Sequence, residues 1–167
     1  MKTIKILVLL MCTGLIVSCG KGNKESDKIT YEALIGKWQP EKIEFRNIPV
    51  FLKNQIPEDL ESEILDESQK KGYLELSNDG TFKIKDTPSS EEFMGEWSFN
   101  GENRIEIESE KFGIALGDKD LKIGFNVEHV SKDKLEIDYA SMYKIFSGMN
   151  IPFVGGVKMV MTYKRIK

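Results

Sequence analysis

One histidine, two cysteines and many carboxylates are the residues that could carry acid–base, nucleophilic or metal chemistry. His129 is the single imidazole. It follows Val127-Glu128 at the end of an alternating apolar run. No Gly-x-Ser-x-Gly turn supplies a nucleophile, and no phosphate or dinucleotide fingerprint is present. A lone histidine with scattered carboxylates lacks the spacing of a metal site. His129 therefore reads as a surface or turn residue. Glu106, Glu108 and Glu110 alternate after Arg104. Paired carboxylates cleave glycosides only when they face each other across a cleft. Every second position on one strand is the pattern of a wet face. The chain reads as a non-enzyme, with no cofactor and no metal.

Methionine and aromatic residues point to binding instead. Val50, Phe51 and Leu52 form one apolar cluster; Met142, Phe146, Met149, Ile151 and Phe153 form another. Such side chains make an adaptable apolar surface. Trp97, Phe125, Tyr139, Phe146, Met149, Met159 and Met161 are the candidate ligand-binding residues. Their use depends on the elements that hold them.

Those elements are short alternating runs separated by turn signals. Gly36 to Phe45 opens the series. Trp38 is out of phase with Ile43 and Phe45, and Pro40 lies between, so a bulge or bend on an edge is expected there. Gly72 to Ser77 and Thr81 to Lys85 flank Asn78-Asp79-Gly80, a strong hairpin signal. Leu74 and Leu76 would share one face, answered by Phe82 and Ile84. Gly95 to Phe99 and Arg104 to Glu108 follow. Leu121, Ile123, Phe125 and Val127 alternate, then Leu135, Ile137 and Tyr139, then Lys158 to Ile166. The spacing predicts about eight strands in an all-β, antiparallel up-and-down barrel. Closure would remove the exposed edges.

Two segments break the alternation. Pro57 to Lys71 has helical spacing at Leu60, Ile64 and Leu65, with acids early and lysines late, as a helix dipole favours. Ala140 to Val157 places Met142, Ile145, Phe146 and Met149 at i, i+3, i+4 and i+7, which predicts a second short helix. Up-and-down order can bring this segment and Val50–Leu52 to one end. There they form either a lid over an open mouth or a plug within the core. Serine at Phe146 and Met149 separates the two. A plug loses about 2–5 kcal/mol per site, whereas a lid loses binding first.

The N-terminus carries an address. Lys2 and Lys5 precede the uncharged apolar stretch Ile6 to Val17. That stretch is shorter than the roughly 20 residues that span a bilayer, and it reads as an export signal. Leu15-Ile16-Val17-Ser18-Cys19 resembles the lipobox of bacterial lipoproteins. The resemblance implies cleavage after Ser18 and lipid on Cys19. It makes residues 1–18 the signal peptide and residues 19–30 the lipidated cysteine and a polar tether. Residues 31–167 form the domain. Acyl chains bury about 0.8 kcal/mol per CH₂, and two or three hold a protein firmly. Gly20 in place of an acid after the cysteine points to the outer membrane of a bacterial envelope. Cys12 leaves with the signal, so the mature domain has no disulfide and relies on its core.

Within the domain a second resemblance appears. Leu34-Ile35-Gly36-Lys37-Trp38, Asn78-Asp79-Gly80-Thr81-Phe82 and Gly95-Glu96-Trp97 together resemble the lipocalin-like domains of envelope lipoproteins. The resemblance implies a calycin-type barrel in which Gly36 and Trp38 are structural, with the tryptophan packed across the closed end. The chain lacks the disulfides of secreted lipocalins. It also lacks a later Thr-Asp-Tyr motif.

Removing residues 1–18 shifts the formal charge from −3 to −5. A mildly acidic chain of mixed charge excludes nucleic acid as a partner. The expected partners are the membrane, through Cys19, and a small apolar or amphipathic ligand inside the barrel. The alternative is a filled barrel that serves as an accessory subunit of an envelope complex.

Overall fold

The computed structural model describes residues 28–53, 59–111, 122–140 and 156–167. A short helix α1 (Tyr31–Leu34) leads into β1 (Gly36–Arg46). Helices α2 (Val50–Lys53) and α3 (Leu60–Ile64) follow, then a 3-10 turn (Gln69–Lys71). The remaining strands are β2 (Tyr73–Leu76), β3 (Thr81–Lys85), β4 (Phe93–Phe99), β5 (Arg104–Glu108), β6 (Lys122–Val130), β7 (Lys134–Asp138) and β8 (Lys158–Ile166). Each strand pairs antiparallel with the next, and β1 pairs with β8 to close the barrel. The fold is an eight-stranded up-and-down barrel, the architecture of lipocalins.

The registers follow from turn chemistry and alternation. Gly80 has φ +81°, which the tight turn after Asp79 requires. The Asp79 carboxylate accepts from the Thr81 amide at 3.0 Å and from its hydroxyl at 2.7 Å. This hairpin sets Leu74 opposite Ile84 and Leu76 opposite Phe82, the expected inward set. A bulge between Pro40 and Lys42 shifts β1 by one residue. The shift lets both Trp38 and Ile43 face inward, since one extra residue reverses the alternation. The strand is not an edge. It pairs with β8 along its length and with β2 through Gly36–Trp38.

Two boundaries differ from the sequence expectation. The helix expected over 57–71 is split, because Asp66 accepts from the amides of Ser68 and Gln69 at 2.7 and 2.8 Å. Such a side chain offers the backbone a turn instead of a helix. Ile29, assigned to the tether, is 6% exposed and belongs to the core. Its apolar side chain lies just before the Thr30 cap of α1 and gains burial there.

Tight turns join β2–β3, β4–β5 and β6–β7 at one end of the barrel. The connections after β1, β3, β5 and β7 leave from the other end. The turn end is closed by a compact floor. Trp38 is fully buried, and its Nε1 donates to the Leu34 carbonyl at 2.8 Å. The Arg165 guanidinium lies 4.0 Å above the ring centroid. It also donates to the carbonyls of Ile35 and Ala33 at 2.7 and 3.0 Å. Gly36 has φ +147°, and a Cβ there would stand 2.2 Å from Arg165 Nη1. Glycine is thus needed both for its conformation and for the approach of the arginine.

The outer wall over β1, β8 and β7 carries an ionic network. Arg46 donates to Glu136 and to Glu44, both at 3.0 Å, and Lys134 reaches Glu136 at 2.6 Å. The Arg46 hydrogen bond, helped by Lys134 and opposed by burial, holds the Glu136 carboxyl down at about 2. A depressed carboxyl stabilises the fold above its unfolded value and ceases to do so as pH falls through its folded value. Arg46 and Lys134 keep 34% and 49% of their side chains in water, which weakens the pair. Wild type should exceed Glu136→Gln by on the order of 2 kcal/mol at neutral pH. The difference should shrink between pH 4.5 and 2, as read by urea unfolding across that range.

Candidate binding cavity

Among the described residues the barrel interior above the Trp38 floor is not filled. It holds a cavity of about 430 Å³, within the roughly 300–1,000 Å³ of small-molecule sites. Ile84, Ile105, Ile107 and Ile137 supply much of its wall, with Leu74 and Leu76. Each comes from an inward position of an alternating strand, which is why the wall is apolar. Phe93, Phe125, Tyr139, Met161 and Tyr163 complete the aromatic and sulfur-bearing side. Gln69, Lys85 and Asp86 add polar groups from the loop ends at the mouth.

Ile64 and Leu65, at the end of α3, reach over the mouth and line the cavity. Leu65 also packs with Ile43 and Met159 in a small second core. Val50 and Phe51 form neither the lid nor the plug that the sequence left open. Those side chains are 83% and 65% exposed and do not line the cavity. The α3 segment occupies the seat over the mouth, and α2 stays outside. The Leu52 side chain, with Met142, Phe146, Met149, Ile151 and Phe153, lies outside the described residues, as does Cys19.

Three expected lining residues meet here: Phe125, Tyr139 and Met161. Phe125 and Tyr139 have ring centroids 4.9 Å apart. Trp97 and Met159 face inward without lining the cavity. Trp97 belongs to the floor layer: its Nε1 donates to the Ser77 carbonyl at 2.9 Å. Its ring stacks on Tyr31 at 4.6 Å, with 3° between planes. Met159 is taken up by the Ile43–Leu65 contact. Strand alternation distinguishes inside from outside and carries no information about height along the barrel.

Tyr163 is the important residue that the sequence reading missed as a site. It lies in phase with Met159 and Met161, and that periodicity was signal enough to include it. Its Oη stands 2.6 Å from Tyr139 Oη inside the cavity. Tyr139 is held at the rim by its amide, which donates to the Met159 carbonyl at 2.7 Å. Asp138 braces the same corner by accepting from Ala140 and Met159 amides at 2.9 and 3.1 Å. Burial pushes the Tyr139 phenol up to about 12, with the Asp86 charge adding to it. Burial raises Tyr163 further. Both phenols are therefore protonated donors at neutral pH.

The histidine and glutamates weighed in the sequence for possible chemistry lie elsewhere. His129 is exposed on β6. Glu106 and Glu108 face outward and pair with Arg104 and Lys122 at 3.3 and 3.1 Å. No group of three or more metal-ligating side chains occurs among the described residues.

No protein-family model matches the chain, and no curated protein matches it. Two solved structures are similar in shape. A lipocalin-like protein from Bacteroides uniformis has a TM-score of 0.46 and 16% identity, over 80% of this chain and 99% of that one. An uncharacterized protein from Bacteroides eggerthii has a TM-score of 0.45 and 13% identity, over 79% and 98%.

Proposed function

We propose that this chain is a lipid-anchored binding protein of the bacterial envelope whose barrel takes a small apolar or amphipathic molecule. The observation that supports binding over a filled accessory barrel is the cavity of about 430 Å³ above the floor. Its aliphatic wall rewards apolar ligands without specifying a reaction. Ten buried methylenes would contribute about 8 kcal/mol, before the loss of ligand freedom is subtracted.

The anchoring part of the proposal rests on the lipobox-like Leu15–Cys19 and on the polar stretch after it. The chain enters the barrel at the floor, through Ile29 and Tyr31. In the proposed arrangement the tether therefore joins the closed end and leaves the mouth unobstructed. A tether spans at most about 3.3–3.6 Å per residue, enough to let so small a barrel turn its mouth either way. Intact-mass measurement of the membrane fraction tests this directly. It should show loss of residues 1–18 and acyl mass on Cys19. A soluble product with a free Cys19 thiol would overturn it.

Native mass spectrometry of residues 20–167, purified from the producing cell without detergent, tests the binding half. The expected result is a reproducible adduct of small-molecule size, released by organic solvent. A clean apo mass, with no uptake of added envelope lipids, would overturn the reading and favour a protein partner.

A further inference from the structure

Two phenols that share one hydrogen bond have one proton left over. Tyr139 and Tyr163 each carry a hydroxyl proton, and their oxygens stand 2.6 Å apart. Whichever donates, the other hydroxyl's proton must point elsewhere. Among the described residues neither phenol oxygen has a second hydrogen-bond partner. The free proton therefore belongs to a donor without a protein acceptor among the described residues, in a cavity whose wall is mostly apolar and whose polar groups, Gln69, Lys85 and Asp86, come from the loop ends at the mouth. A buried donor left unmatched is costly, so such a site favours a guest that brings an acceptor.

The two hydroxyls meet inside the cavity. Tyr163 lies two residues before Arg165, one inward position above the floor. Tyr139 follows the last residue of β7 and reaches in from the mouth side. The cost of desolvation selects among acceptors. Asp86 continues the inward phase of Phe82 and Ile84, lines the same cavity, and has no ion-pair or hydrogen-bond partner for its carboxylate among the described residues. Lys85 also lines the cavity, one position out of that phase. Asp86 itself is exposed, so water screens its charge. A carboxylate guest at the tyrosine pair is disfavoured by the cost of taking a full charge out of water to a site that offers one spare donor.

We infer that the cavity is built for an apolar molecule bearing an uncharged oxygen acceptor, such as an ester or ketone carbonyl, which receives the spare proton of the Tyr139–Tyr163 pair. This deepens the binding reading above and rests on it. The rival occupant of the donor is a cavity water, which would satisfy the proton and leave no preference between guests.

The test uses residues 20–167, which contain every strand, and three matched probes. Methyl decanoate has an uncharged carbonyl, decanoate a charged carboxylate, and undecane no acceptor. Each competes with the uncharged dye N-phenyl-1-naphthylamine. Methyl decanoate should bind about fivefold to tenfold more tightly than undecane, the worth of one net hydrogen bond. It should also outbind decanoate. In the double variant Tyr139→Phe/Tyr163→Phe the advantage over undecane should vanish while undecane affinity stays. A double replacement is needed because either tyrosine alone retains a proton to donate. Equal binding of all three probes to wild type would overturn the inference and leave the binding reading standing, as would an advantage that persists in the double variant. If neither dye nor probes bind, the binding reading fails and takes the inference with it. Should the double variant unfold, the wild-type ranking of the probes still decides the matter.

Discussion

Trp38→Ala should lower unfolding free energy by about 3–5 kcal/mol, the range for removing a large buried aromatic side chain. A domain has only about 5–15 kcal/mol in total, so this one change should leave the barrel marginal. The reasons are specific to the floor. The indole is fully buried between α1 and β8. Its loss leaves the Leu34 carbonyl without its 2.8 Å donor and removes the ring beneath Arg165. Arg165 could not relax into the void while it holds the carbonyls of Ile35 and Ala33. Trp38→Phe keeps an aromatic face and loses the Nε1 hydrogen bond, so it should cost less than the alanine change. Urea unfolding followed by circular dichroism gives both values. A Trp38→Ala cost below about 1.5 kcal/mol would mean that the floor is held by the strand ladder alone, against the packing argument made for it.

The strand registers were legible because the signals that set them are local. Asp79-Gly80 sets the β2–β3 turn, and period-2 alternation then pairs Leu74 with Ile84 and Leu76 with Phe82. The mismatch between Trp38 and Ile43 announced the bulge at Pro40. What was illegible is non-local. The helical spacing of Leu60, Ile64 and Leu65 is plain, and its seat over the mouth depends on contacts with Ile43 and Met159, far away in sequence. Val50 and Phe51 were candidates for a lid or a plug on composition and strand order, and their exposure shows that an apolar pair near an opening need not turn toward it. Trp97 and Phe125 have the same inward phase, and one lies in the floor while the other lines the cavity. The tyrosine pair required both strand phase and the β7–β8 corner that brings Tyr139 over Tyr163. Cavity volume itself has no sequence signature, since a wall of isoleucine can enclose space or fill it.

Filling that space is the sharpest way to separate an interior site from a surface one. Met161→Trp should reduce the affinity of an apolar probe at least about tenfold. Met161 lies midway along β8, opposite Ile43 on β1 and Ile137 on β7, and its side chain lines the cavity. An indole there would project into volume that is now empty. Excluding two methylenes of a guest removes about 1.6 kcal/mol, close to a factor of ten. Larger side chains in a packed core cost about 1–3 kcal/mol through strain. Here the added atoms enter a void, so stability should change by less than about 1 kcal/mol. Met161→Leu conserves shape and should leave both binding and stability near wild type. Dye titration and urea unfolding on the same three proteins supply the comparison. Loss of binding with retained stability places the ligand inside the barrel. Undiminished binding in Met161→Trp would move it outside, where Val50, Phe51 and Met94 are the large apolar side chains exposed among the described residues.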